Sequence, residues 1–171
     1  NVEAASARFP GTAFTTDDFR AVRERFDIVI LSDVLEHVPN DVQLLRDAAS
    51  IANVVLVNLP LEKCLTSLFR NYGPEDSSGH LRSYSLGDGM TLFNAAGLNV
   101  LDWKRIWVME TRYELMRQQL NEEMLGAEFN GVAPVRLLKR LAFELSIAIR
   151  PLGRVTFPSN LFASAKGITC A

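Results

Sequence analysis

The chain is poor in cysteine and has no long apolar run. Its two cysteines, Cys64 and Cys170, have neither C-x-x-C spacing nor the count of a disulfide framework. That excludes a stapled secreted scaffold, and a reducing, cytoplasmic setting is the expectation. Cys64 reads as a small packed residue rather than a nucleophile, since no cysteine-enzyme signature surrounds it. No stretch reaches the roughly 18 consecutive apolar residues of a membrane span, and no signal-peptide pattern opens the chain. An excess of positive charge is also missing. With 18 Lys and Arg against 20 Asp and Glu the net charge is -2, and no basic–aromatic stripe appears, so nucleic acid is not an expected partner. There is no G-x-G-x-x-G fingerprint and no Tyr-x-x-x-Lys pair, which argues against a nicotinamide-dependent dehydrogenase. Internal repeats and low-complexity tracts are absent.

What is there is an ordinary globular balance, 48% hydrophobic and 22% charged, in 171 residues that suit one domain with a sizeable core. The most informative segment runs from Phe26 to Val38. Phe26 to Leu31 is apolar except for Asp27, the pattern of a strand covered on both faces of a parallel sheet. Polarity then arrives together, in Ser32, Asp33, Glu36 and His37. After Pro39, Asn40 to Gln43 has the form of a capping box, with Asn40 as the cap and Gln43 reaching back to its amide. The helix it opens carries Leu45, Ala48, Ile51 and Ala52 on one face. Val54 to Pro60 is a second buried strand, completing a βαβ unit with an expected right-handed crossover. Ligands of open α/β sheets sit beyond the carboxyl ends of the strands, where Ser32 to His37 fall.

Around this unit, residues 1–9 read as a short helix stopped by Pro10-Gly11, and Thr12 to Thr16 as a short strand. Leu61 to Ser83 is a loop long enough to expect function in it. A helix from about Ser85 to Ala96 ends at Gly97, a good C′ residue. Leu98 to Val108 is a strand with Trp103 and Trp107 expected in the core. Residues 111–150 are helical, broken near Asn130-Gly131 and Pro134 and ended by Pro151 and Gly153. Asn160 to Lys166 is the last strand. The apolar stretch Val135 to Ile149 has a basic edge in Arg136, Lys139, Arg140 and Arg150. It is too charged to span a membrane. It either covers the sheet, forms a dimer face, or makes a peripheral membrane contact through 135–150. The sequence does not fix the oligomeric state.

Asp33-Val34-Leu35-Glu36-His37-Val38 behind Phe26-Asp27-Ile28-Val29-Ile30 resembles the fourth-strand motif of class I S-adenosylmethionine-dependent methyltransferases. Val54 to Pro60 is similar to that family's fifth strand. Gly79-His80-Leu81-Arg82-Ser83-Tyr84-Ser85 is similar to the stretch before its next helix, Ala95 to Leu98 to the entry into its sixth strand, and Leu161 to Lys166 to its final antiparallel strand. The resemblance implies an α/β, Rossmann-like methyltransferase sheet with the third to seventh strands present and the first and second missing. Residues 1–171 would form one methyltransferase domain, with a helical insertion over 111–151 before the last strand. The chain enters on Asn1 in what reads as mid-helix, so an N-terminally incomplete fragment is expected. The residue 12–16 strand should then pair directly with the Phe26 strand, or the isolated chain, with that strand as a raw apolar edge, should be poorly behaved in solution.

The resemblance further implies S-adenosyl-L-methionine as cofactor and a small-molecule acceptor, lipid- or sugar-linked acceptors included. Asp18, with Asp17 one register away, matches the position that accepts from the adenine amino group, and Phe19 lies beside it. Ser32 and Asp33 match the positions lining the methionine end. The family's Gly-rich turn, which lets backbone approach the donor closely, has no counterpart here. His37 and Glu36 are the candidate catalytic residues: imidazole accepts protons near neutral pH, and Glu36 would orient it or the acceptor. Alternatively His37 only packs and bonds the backbone. His80 and Arg82 fall where the acceptor is bound, Arg82 offering a fork for a carboxylate or phosphate; a surface ion pair is its other reading. Asp33, Glu36 and His37 would make a thin ligand set for a hard ion such as Mg²⁺, with His80 as a remote fourth, and no metal is expected. The rival to an enzyme is a non-catalytic α/β binding or interaction module descended from one.

Overall fold

The run Phe26–Ser32 forms β1, and Ala52–Leu61 forms β2 parallel to it, with Ile28 opposite Val54 and Ser32 opposite Asn58. Between them α2 spans Asp41–Ser50. Leu98–Trp107 is β3 and Ser159–Gly167 is β4. The sheet order is β1-β2-β4-β3, with β4 antiparallel to both neighbours. α1 covers Val2–Arg8, α3 Leu86–Ala95 and α4 Arg150–Thr156. The computed structural model describes residues 2–68, 70–107, 141, 144, 145 and 148–168. Most of the helical insertion expected over 111–151, and of the apolar stretch 135–150, lies outside the described residues. Among the described residues no helix is long and apolar enough to cross a membrane.

The helices start where the sequence supplies caps. The Asn40 side chain accepts from the Gln43 amide at 3.0 Å, but Gln43 donates its own amide group to Asp47, so that box is only half closed. A complete capping box opens α3, where Ser85 accepts from the Asp88 amide and Asp88 accepts from Ser85. Gly97 follows α3 at φ +72°, the left-handed turn expected there. Helical backbone at Ala148 breaks at Ile149, just before Pro151, but Pro151 also belongs to the helix that follows. It sits in the first turn of α4, where its missing N–H has no partner to lose, and Gly153 is inside that helix.

α2 and α3 cover one face of the sheet. Beneath them Val55, Val57, Leu59 and Leu61 of β2, Leu161, Ala163 and Ala165 of β4, and Leu45, Ala48, Leu92 and Phe93 of the helices make one buried cluster. Each fully buried Leu or Phe contributes roughly 1.5–3 kcal/mol relative to exposure. Gly89 lets α3 come close: a Cβ there would lie 2.9 Å from Leu161 Cδ2 and 3.2 Å from Leu59 Cδ2.

The opposite face differs from expectation. The apolar run of β1 predicts cover on both sides, yet Ile28 and Ile30 are 52% and 67% exposed, and Phe26 and Phe162 are exposed with them. Residues 12–16 form no strand; they pair with neither β1 nor any other strand among the described residues, and Phe14 meets Phe9 at 6.4 Å instead. A short segment with one large apolar side chain has too little to bury to dock on β1. Among the described residues β1 is therefore an apolar edge strand. Trp103 is not core either, at 46% exposure, while Trp107 lies between the guanidiniums of Arg105 and Arg154 at 4.7 and 4.3 Å.

Candidate active site

At the carboxyl end of β1, Ser32 and Asp33 meet Asn58 of β2. Asn58 Nδ2 donates to Ser32 Oγ at 3.0 Å and to Asp33 Oδ2 at 2.8 Å, and Ser32 Oγ donates to Asp33 Oδ2. Asn160 of β4 donates to Asn58 Oδ1 at 2.8 Å, so side-chain amides tie three strand ends together. Asp33 has φ +52°, the one positive value among the described non-glycine residues. Asp tolerates this better than most residues, because its short polar side chain bonds locally. Above these ends opens a cavity of about 650 Å³ lined by Asp33, Glu36, His37, Asn58, Glu62 and His80, among others.

The next turn carries the reactive groups. Leu35–His37 is a single 3-10 turn with Leu35 and Glu36 buried and His37 turned outward. Glu36 is only 1% exposed, and both its carboxylate oxygens lack a hydrogen-bond partner among the described residues. Burial pushes its carboxyl up. His37 Nδ1 lies 2.9 Å from Gly79 O. A carbonyl only accepts, so Nδ1 carries the proton, and in the neutral ring Nε2 keeps its lone pair. That Nε2 is 3.7 Å from Glu36 Oε1.

The long loop brings the second histidine. Leu81 N–H donates to Glu36 O at 2.8 Å, fastening the loop to the turn. His80 Nδ1 lies 2.9 Å from Glu62 Oε2, and its ring meets His37 edge-on at 4.7 Å. Arg70 organises this side. Its Nε and Nη2 donate to both oxygens of Asp76 at 2.8 Å, and its Nη1 to both oxygens of Glu62 at 3.0 and 3.2 Å. The Arg70 hydrogen bonds hold the Asp76 carboxyl well below its usual range. Asp76 also accepts from Ser78 N–H, which closes the turn before Gly79.

Of the residues singled out in the sequence, Asp33, Glu36, His37 and His80 line the cavity, while Ser32 does not line it and only accepts from Asn58, which does. Arg82 does not line it. Its guanidinium donates to Val38 O and Pro39 O and pairs with Asp41 at 2.8 Å, so it clamps the loop to the start of α2. Buried Tyr84 shares that clamp, its hydroxyl 2.7 Å from Asp41 Oδ2. Burial raises the Asp41 carboxyl, but the bonds from Tyr84 and Arg82 outweigh it and leave the group below its ordinary value. Asp18 and Phe19 lie apart from this cavity: Asp18 caps a 3-10 turn, its Oδ1 accepting from the amide and the Nε of Arg20, both at 3.0 Å. Asn58, Glu62, Arg70 and Asp76 join the site without being candidates on sequence. Asn58, polar in the middle of an apolar strand, is the one visible signal among them.

No family model matches the chain, and no curated protein matches it. Solved structures do. The cyclase SpnF superposes with a TM-score of 0.55 at 17% identity, over 97% of this chain and 61% of its own. A protein from Bacillus halodurans described as a methyltransferase gives 0.53 at 17%, over 98% and 79%. An O-methyltransferase from a trans-AT PKS multienzyme of Brevibacillus brevis, in complex with S-adenosyl-L-homocysteine, gives 0.51 at 16%, over 96% and 52%. This chain therefore spans about three fifths of the cyclase's length and half of the O-methyltransferase's. It has the class I methyltransferase fold, an α/β architecture with a Rossmann-like sheet. That the fold is shared with a cyclase shows how little it fixes chemistry by itself.

Proposed function

We propose that the chain carries the acceptor side of an S-adenosylmethionine-dependent methyltransferase acting on a small molecule. The observation that supports this most is the cavity at the carboxyl ends of β1 and β2 and the amino end of β4, where Asp33, His37 and His80 converge. Methyl transfer from a sulfonium needs acceptor and donor held in line and, for a hydroxyl acceptor, a group to take its proton. His37 suits that task because Gly79 O fixes its tautomer and leaves Nε2 free. Glu36, 3.7 Å away, would stabilise the imidazolium formed.

The donor fits these residues on one side only. Ser32 and Asp33 present polar atoms at the end of β1, as a donor's methionine end would need. Asp18 is engaged by its own turn, and the sequence holds no Gly-rich cradle. The second reading, a non-catalytic binding module, rests on that mismatch.

Calorimetric titration with S-adenosylmethionine and S-adenosylhomocysteine, followed by labelled-methyl transfer to hydroxylated small molecules, tests the proposal. Saturable donor binding with transfer is expected, and His37→Asn should lower kcat by about 10²–10⁴ while donor affinity holds. Absence of both donor binding and transfer would favour the binding module.

A further inference from the structure

We infer that Glu36, His37 and His80 form a binding site for a first-row divalent transition ion of the Zn²⁺ type. Each offers one ligand atom, and the three atoms lie within 4.8 Å of one another. Bonds of about 2.0–2.2 Å bring ligand atoms to roughly 3–3.5 Å, so side-chain movements of about 1 Å would close the set. The Glu36–His37 pair, at 3.7 Å, is nearly there.

Three independent features point to a cation rather than to a chance cluster. First, Glu36 is buried with two carboxylate oxygens unsatisfied among the described residues, an expense that a bound cation removes. Second, both imidazoles are oriented as ligands are. His37 donates Nδ1–H to a backbone carbonyl and His80 donates Nδ1–H to Glu62, which leaves both Nε2 lone pairs available. Such outer partners fix ring orientation in metal sites and raise ligand basicity. Third, Glu62 is itself held by Arg70, and Arg70 by Asp76, so the support extends three residues beyond the ligands.

The chemistry selects the ion. Two imidazoles and one carboxylate suit zinc, cobalt, manganese or iron, whereas Mg²⁺ and Ca²⁺ prefer all-oxygen sets. The third ligand differs from the sequence-based trio. Asp33 stays bonded to Ser32 and Asn58, and His80 takes its place. Three protein ligands leave positions open toward the cavity for an acceptor oxygen, a hydroxyl or carboxylate. That last step rests on the methyltransferase reading; the metal site does not. In the loaded site the His37 Nε2 lone pair belongs to the ion, so ligation and proton acceptance by His37 exclude each other.

The test is titration of chelator-dialysed protein with Co²⁺, followed by visible absorption, with Zn²⁺ displacement, thermal shift and Mg²⁺ as the control. One equivalent of Co²⁺ is expected, displaced by Zn²⁺ and not by Mg²⁺. Glu36→Gln and His80→Ala should abolish uptake, and Glu62→Gln should weaken it about 10–100-fold. Glu36→Gln serves as its own folding check, because without metal it should melt higher than the parent while losing the Zn²⁺-induced shift. Absence of stoichiometric Co²⁺ uptake, or uptake unchanged in both Glu36→Gln and His80→Ala, would overturn the site. S-adenosylhomocysteine binding measured on the same samples keeps a failed metal site distinct from a failed methyltransferase reading.

Discussion

The two faces of the sheet are built from the same kinds of side chain and meet opposite fates. Leu59 and Leu161 lie sealed beneath α2 and α3, while Ile28 and Ile30 of β1 and Phe162, next to Leu161 on β4, face outward. Hydrophobic content tells how much a strand can bury, and only the partner elements decide how much it does. Stability should therefore reside almost wholly on the helix-covered face.

Leu59→Ala gives that asymmetry its largest test. It should remove about 2–5 kcal/mol of unfolding free energy in urea denaturation, and a loss below about 1 kcal/mol would put the core elsewhere. Arg82→Ala should come next, at roughly 1–3 kcal/mol, because it strips the clamp from Val38, Pro39 and Asp41. Its effect should appear in Tm and not in acceptor KM; the reverse pattern would restore Arg82 to substrate binding. Glu36→Gln should move the other way, stabilising the metal-free chain by roughly 1–2 kcal/mol at neutral pH. The sign follows from linkage. A carboxyl whose folded pKa is raised destabilises the fold when ionised, so the parent should lose stability relative to Glu36→Gln as pH rises from 4.5, the ordinary value, through the raised one. Melting curves of both proteins across that range check it, and parallel curves would mean Glu36 is not desolvated. Ile30→Ala on the open face should change stability least, by under about 1 kcal/mol.

Much of the covered face is readable from the chain alone. The apolar run Val54 to Pro60, the Asn40 cap and Gly97 locate β2, α2 and the end of α3. The motif from Ser32 to His37 locates half of the cavity, because its polarity follows an apolar strand at once. Of the other half, His80 is named only through the family resemblance, and Asn58, Glu62, Arg70 and Asp76 are not legible. His80 meets His37 through a long loop whose path depends on the bonds Leu81 N–Glu36 O and Arg70–Asp76, and such long-range pairings leave no periodicity to read. For Arg82 an ion pair is one of the sequence readings, but its partners, Val38, Pro39 and Asp41, are not legible because they lie more than forty positions upstream. Residues 12–16 have strand-like composition but pair with no strand among the described residues.

Asp33 carries a further consequence. Its left-handed backbone would be more comfortable with glycine or asparagine, neither of which supplies a carboxylate. Selection for heat tolerance alone would push this position toward those residues, while selection for cavity chemistry would keep the aspartate. A library of variants sorted only on folding should therefore be enriched in Asp33→Gly and Asp33→Asn, making the position a recorder of which pressure acts on the chain.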